Sequence, residues 1–335
     1  MKGDALLNFL VGNGKGSFTA HGSVASRLLN NGLDIKAMRT NDVLLYDEWK
    51  AIDKAVLAAY QQRLVGVADL QARGLTYTIP NGLGKPVFAY QDASDAEDAE
   101  MAMDGKTRGR RDRQEFDINY MPMPLIFADF SFNIRELEAS RSGSMPLDTS
   151  MATLKARKVA EKVEEILFQG ASTYTFGGGS IYGYEDEPNR NTGSLTAPWN
   201  DSAASGTTIL GDVRDMKQAL IDDRAYGSYV LYVPTQYETA LDDDFKANSD
   251  KSIRQRLLEV DGLAGIKIAD KASSTKVSLV QMTEDVIRLV TGLDIITVQW
   301  DTDGGMQVNF KIMTIQIPQT RHDQSGRCGI AVFTE

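Results

Sequence analysis

Hydrophobic residues along this chain switch repeatedly between helical and strand spacing. The clearest helical stretch is residues 147–170, LDTSMATLKARKVAEKVEEILFQG. Ala152, Ala156, Val159, Ala160, Val163, Ile166 and Leu167 recur there at steps of three, four and one, which places them on one side of a helix. The spacing predicts one long amphipathic helix over 148–169. Asp148 or Thr149 is placed to cap its free N–H groups, Pro146 stands just outside, and Gly170 sits where a left-handed residue would end it. At about 1.5 Å per residue the helix would run roughly 30 Å. Its stripe of Ala and Val allows close approach to a sheet or another helix. Trp49, Ile52, Val56, Tyr60 and Leu64 also fall at steps of three and four and predict a second helix over 47–65, with Trp49 in the core.

Alternation takes over elsewhere. Leu75 to Ile79 alternates and is stopped by Pro80; Asn81-Gly82 and Gly84 predict a turn, and Val87 to Tyr90 another short extended run. Phe127, Phe130, Phe132 and Ile134 with polar residues between them predict a strand, and Pro122 and Pro124 are tolerable only at its edge or before it begins. Residues 207–282 read as an α/β-like unit. Leu210 to Ile221 is helical, Tyr229 to Val233 a buried strand ending at Pro234, Ile253 to Val260 helical, and Ile266 to Ala269 and Val277 to Val280 are strands. At the end, Ile295 to Trp300 runs through Asp303-Gly304-Gly305 into alternating Met306, Val308, Phe310 and Ile312, a hairpin. The apolar set then shifts parity to Met313, Ile315 and Ile317, which predicts a bulge or a change of neighbour before Pro318 ends the strand. Gly329 to Thr334 supplies a last strand.

Three stretches fit neither pattern. Residues 1–40 are rich in Gly, Asn and Ser and read as an arm with little core of its own. Asp92, Asp95, Glu97, Asp98, Glu100 and Asp104 form an acidic block, followed at once by Lys106, Arg108, Arg110, Arg111 and Arg113. Apolar residues there are too few for independent folding, so the segment is an excursion from the body. It is either a solvated loop or an arm lying on a neighbouring subunit, where each block meets the opposite sign. A calcium loop is disfavoured because the spacing lacks the required Gly and terminal Glu. The run Gly177-Gly178-Gly179-Ser180 lacks the Gly-Lys-Ser/Thr ending of a phosphate loop and is expected to be a flexible surface loop.

Composition narrows the function. The 335 residues, 42% hydrophobic and 24% charged, suit a globular protein of roughly two domains. No run approaches the length of a membrane span, and the apolar part of MKGDALLNFLVGNGKG is too short for a signal peptide, so neither membrane insertion nor signal-directed export is expected. With one cysteine, Cys328, and two histidines, His21 and His322, an intrachain disulfide and a Cys/His zinc site are excluded by count. Cys328 beside Arg327 can have a lowered pKa, but no second residue makes it a nucleophile; His322 reads as a surface histidine, and Asp242 to Asp244 as a solvated helix end or loop. No GxSxG, paired His or phosphate loop is present, so no enzyme and no cofactor are expected. A net charge of −10 disfavours a dedicated DNA-binding module.

In order along the chain, EWKAID (48–53), PLIFADFSFNIRELEASRSG, the 147–170 helix and the closing EDVIRLVTGLDIITVQWDTDGGMQVNFKIMTIQIP resemble the encapsulin-like branch of the HK97-fold shell proteins, a family of tailed-phage major capsid proteins and encapsulin nanocompartments. The resemblance covers most of 45–335. It implies an α+β capsid fold: an N-terminal arm (1–40), a peripheral P domain (41–83, 119–206 with the spine helix 148–169, and 283–335), an extended E-loop (84–118) and an axial A domain (207–282). It further implies that Asp95, Glu97, Asp98, Glu100, Lys106, Arg108, Arg110, Arg111 and Arg113 in the E-loop contact neighbouring subunits.

By the same resemblance the chain is a major capsid protein that assembles as hexamers and pentamers into an icosahedral phage head. Its partners would then be itself, a portal, separate scaffold or decoration proteins, and packaged double-stranded DNA bound without sequence specificity. It would assemble in the host cytoplasm and reside in the virion. The alternative is an encapsulin shell around an enzyme cargo. The arm before Trp49, longer than a compact encapsulin's, favours the phage reading. No acidic helical stretch of about a hundred residues precedes the body, so any scaffolding is expected to be separate or minimal. The HK97 phage joins its subunits through a Lys and an Asn; Lys106 lies in the expected E-loop without an assignable partner, and no cross-link is expected.

Overall fold

The structure, a computed structural model, describes residues 52–58, 65–93, 103, 116–136, 138, 149–201, 203–246, 251–303, 306–323 and 325–335. The expected arm and Trp49 lie outside these residues. In chain order the elements are α1 (52–58), α2 (Val65–Ala72), β1 (Thr76–Thr78), β2 (Val87–Ala93), β3 (Phe116–Pro122), β4 (Ile126–Asn133), α3 (Ser150–Gln169), β5 (Ala171–Phe176), β6 (Gly179–Ile181) and β7 (Asn191–Ser194). Then follow α4 (Gly206–Asp222), β8 (Tyr229–Pro234), α5 (Ile253–Leu258), β9 (Leu263–Ala269), β10 (Lys276–Gln281), β11 (Ile287–Thr302), β12 (Gln307–Thr320) and β13 (Ile330–Thr334). The described residues fall into two compact units, one drawn from 52–86, 123–165 and 289–317 and the other from 87–122, 166–288 and 318–335.

The first unit is built on a sheet ordered β1-β11-β12-β4, with β1 parallel to β11 and β4 antiparallel to β12. Its inner face carries Phe130 and Phe310 stacked at 4.9 Å, with Phe132 edge-on to both. Such contacts add to the burial of each ring. Phe127 was expected to share this stripe but is 53% exposed, because its odd position in a period-two strand points it the other way. There Lys311 lies 4.3 Å from its ring centroid and 3.6 Å from Asp129. The parity shift after Ile312 involves no bulge against β4, since the pairing runs unbroken from Gln307↔Asn133 to Thr314↔Ile126. From Ile312 onward β12 is buried on both faces, so the apolar set can change parity at Ile312-Met313, and the polar Thr314, Gln316 and Gln319 are buried too. Pro318 does not end the strand either; it lies within β12 beyond the last residue paired to β4.

The long helix spans Ser150–Gln169, and every residue of its expected stripe is buried. Gly170 has φ 73, the left-handed C-terminal conformation. The expected 47–65 helix is described only over 52–58, with Ile52 and Val56 buried. A separate helix, α2, begins at Val65. Its start is held by the buried Glu164 of α3, whose carboxylate accepts from the Gly66 N–H at 2.7 Å and the Val67 N–H at 3.4 Å. An acid at a helix start satisfies orphan donors and complements the helix dipole.

The second unit holds a sheet ordered β7-β13-β10-β8-β9. β8 is buried along its whole length and runs antiparallel to β10 and parallel to β9, with α5 in the crossover. Ser205 caps α4, accepting from the Thr208 N–H, and Ile209, Val213, Met216 and Leu220 join Leu231, Val233, Val277 and Leu279 in one core. Asp212 is buried on the same helix. It accepts from the Thr196 N–H and hydroxyl on one carboxylate oxygen and from Trp199 Nε1 on the other, so the 195–199 turn is tied to α4. Phe168, Tyr184 and Tyr232 form an aromatic triangle with centroids 5.2–5.6 Å apart.

Candidate assembly surface

Asp95, Glu97, Asp98, Glu100, Lys106, Arg108, Arg110, Arg111 and Arg113 all lie outside the described residues. What is described is the stem that carries them. β2 and β3 form a two-stranded antiparallel ribbon in register from Val87↔Pro122 to Ala93↔Phe116. Its pleat sorts side chains by face: Phe88, Tyr90, Asn119 and Met121 are buried or half-buried, whereas Ala89, Gln91, Ile118 and Tyr120 are exposed. Ile118 and Tyr120 are 54% and 48% exposed, on a ribbon whose other face already packs.

Beside the ribbon lies the β5–β6 hairpin. Its turn, Gly177-Gly178, has φ 64 and 85, the paired left-handed values of a tight two-residue hairpin turn. A Cβ on Gly179 would overlap the Tyr120 carbonyl oxygen, and one on Gly177 would come within 2.6 Å of Val87 Cγ2. The glycine run is therefore a close-packed turn against the ribbon, not the expected flexible loop. Tyr174 and Phe176 of β5 are half exposed, two residues apart on one face.

After the hairpin comes an acidic turn that sequence reading passed over, Glu185-Asp186-Glu187. Glu185 and Glu187 are buried, and Asp186 is half-buried. Burial pushes all three carboxyls above their ordinary range. Glu185 accepts from the Ser273 N–H at 2.8 Å and lies 3.7 Å from Lys276 Nζ, which ties the turn to the β9–β10 connection. Asp186 accepts from the Gly183 N–H at 2.6 Å, and Glu187 from the Thr320 hydroxyl. The signal available in the sequence was a run of three acids directly behind the apolar Ile181–Tyr184 stretch, where a solvated loop would not be expected.

Glu187, Tyr120, Tyr182, Asn119, Thr320 and His322 line a pocket of about 350 Å³ beside the ribbon. His322, read as a surface histidine, is half-buried, and its Nδ1 lies 3.0 Å from the Asp323 carbonyl. Cys328 also departs from expectation. It is buried, and burial together with the fields of Glu187 and Asp223 pushes its thiol up to about 12, against the Ile330 hydrogen bond and the Arg190 cation, so the lowered value expected beside Arg327 is not found. Among the described residues no group of three or more His, Cys, Asp or Glu is arranged to hold a metal ion, and no helix is long and apolar enough to cross a membrane.

The four-stranded sheet, long helix, two-stranded ribbon and five-stranded second sheet are those of the HK97 capsid fold, in its encapsulin-like form. The chain superposes on a virus-like particle protein from Pyrococcus furiosus with a TM-score of 0.62 at 16% identity, over 86% of this chain and 98% of that one. On the capsid of Myoviridae phage XM1 the TM-score is 0.60 at 12% identity, over 80% and 92%. In sequence it is 27% identical over 188 residues to the type 1 encapsulin shell protein EncA of Myxococcus xanthus (strain DK1622). That match covers 55% of this chain and 59% of EncA, so the chain spans about three fifths of the length of this curated relative. The chain belongs to the family described as "Family of unknown function (DUF6260)", whose model matches residues 37–333.

Proposed function

We propose that this protein is a self-assembling shell protein, the major capsid protein of an icosahedral phage head that encloses double-stranded DNA. The observation that carries the reading is the fold, shared over nearly the whole length of the virus-like particle protein. The ribbon with Ile118 and Tyr120 exposed supports it, because apolar side chains left outward on a two-stranded ribbon are a surface that a neighbouring molecule can bury. In this reading 1–40 is the arm, 84–118 the E-loop, 207–282 the A domain and the remainder the P domain. The charged residues Asp95 to Arg113 contact neighbouring copies. Each subunit then makes several modest interfaces at once, and closure of the shell makes them cooperative. The protein has no catalytic role; portal, scaffold and decoration proteins are its further partners, and the virion is its location.

An encapsulin compartment is the second reading, favoured by the likeness to EncA. Electron microscopy of purified particles with their absorbance ratio at 260 and 280 nm separates the two. DNA-filled heads support the capsid, and small nucleic-acid-free shells with a co-purifying protein support the compartment. Replacing Arg108, Arg110, Arg111 and Arg113 by Glu is expected to block assembly while the monomer stays folded. Intact shells from that variant would contradict the role given to the basic block.

A further inference from the structure

Glu187 is 2% exposed, yet among the described residues no Lys or Arg pairs with its carboxylate. Its donors are neutral: the Thr320 hydroxyl and the Asn189 N–H. Its neighbour Glu185 differs in having Lys276 at 3.7 Å. His322 on the pocket wall is a cation only when protonated. A buried carboxylate held by neutral donors alone is costly, and a cation placed beside it offsets that cost. Here the carboxylate borders an open pocket of about 350 Å³, and Tyr90, Tyr120 and Tyr182 line it. Acid plus tyrosines is the chemistry that receives an ammonium or guanidinium group, through a charge-assisted hydrogen bond and ring faces.

We propose that this pocket receives a Lys or Arg side chain from residues 106–113 of a second copy of the chain. The occupant follows from charge complementarity. In a chain of net charge −10, Lys106, Arg108, Arg110, Arg111 and Arg113 form a dense basic block with only Asp112 among them. The pocket adjoins β3, the strand that leads back from that block, so each copy carries both halves of the contact: a pocket at the stem and a basic segment beyond it. Such a heterologous contact propagates from subunit to subunit and closes as a ring or shell. The proposal rests on the shell reading for its second copy, and the pocket can be tested apart from it.

The probe is a fluorescein-labelled peptide of residues 104–114 added to the full-length protein, read by anisotropy. Wild type is expected to bind, Glu187→Gln to weaken binding by about tenfold or more, and Tyr120→Ala by about three- to tenfold. Glu284→Gln removes the same charge from an exposed site and controls for nonspecific attraction; it is expected to leave binding unchanged. Glu187→Gln binding like wild type, or no better separated from wild type than Glu284→Gln, would overturn the pocket. Circular dichroism melts of each variant confirm that loss of binding is not loss of fold, and Tyr120→Ala tests the pocket from an exposed position. In particles, p-benzoylphenylalanine at Gly109 in an equal mixture of isotopically heavy and light chains is expected to give heavy–light adducts; adducts within single chains only would overturn the second-copy assignment. Shells without peptide binding would sink the pocket alone, and peptide binding without shells would sink the shell reading alone.

Discussion

Glu164 is a buried charge whose value depends on what it holds. Its two oxygens take the first amides of α2, so Glu164→Ala leaves those donors dry and is expected to cost about 1–3 kcal/mol, measured by urea unfolding. Glu164→Gln keeps one acceptor and is expected to cost less. An unchanged midpoint for the alanine variant would show that water replaces the carboxylate. Cys328 is the opposite case, a reactive group made inert by its surroundings. With its thiol pushed up to about 12, it is expected to resist Ellman's reagent in the native protein and to react promptly in guanidinium. Rapid native labelling would contradict the burial.

The acidic turn makes a third residue-scale prediction. Burial raises Glu185, Asp186 and Glu187, so the native state still holds protons that the unfolded chain has released. Their contribution is therefore fully present in acid and is lost as pH rises from the ordinary carboxylate range through the raised native values. The groups that oppose the shift are the Ser273 N–H and Lys276 at Glu185, the Gly183 N–H, Ser172 and Arg190 at Asp186, and Thr320, His322 and Asn189 at Glu187. Glu187→Gln cannot ionise, so its melting temperature should fall less steeply than wild type's as pH rises above 4.5, the ordinary glutamate value. Parallel curves would contradict the assignment.

At the scale of elements, the ribbon and its neighbouring hairpin stand or fall together. Gly179→Ala drives a methyl group into the Tyr120 backbone and is expected to cost about 2–4 kcal/mol, with assembly lost before the fold is. Gly178→Ala meets no atom within 4 Å and carries only the strain of its φ of 85, so it should cost about 1–2 kcal/mol. Equal effects from the two would deny the close packing. The same pair explains what sequence reading missed. Glycines mark a turn, but which of them touches another strand is a tertiary fact. The long helix was legible because a 3.6-residue stripe and a terminal glycine are local signals. The split between α1 and α2 was not, because the carboxylate that starts α2 comes from position 164, far along the chain. Phe127 was legible in principle by its odd parity, and apolarity alone misplaced it. Of the candidate site, the charge blocks were plain in composition. The acidic turn offered only its place behind Ile181–Tyr184 as a signal, and its partners Ser273, Lys276 and Thr320 lie far along the chain.

At the scale of the whole molecule, the proposed function has the exposed apolar ribbon, the basic segment and a buried acid with no Lys or Arg beside it among the described residues completed by further copies of the chain. The most direct test is sedimentation velocity of the purified full-length protein at near-physiological salt. The expected result is a boundary of uniform particles far larger than the 36.8 kDa chain, which retreats to small species when Arg108, Arg110, Arg111 and Arg113 are replaced by Glu. A wild-type protein that sediments as a monomer or dimer across a range of salt and protein concentration would contradict it.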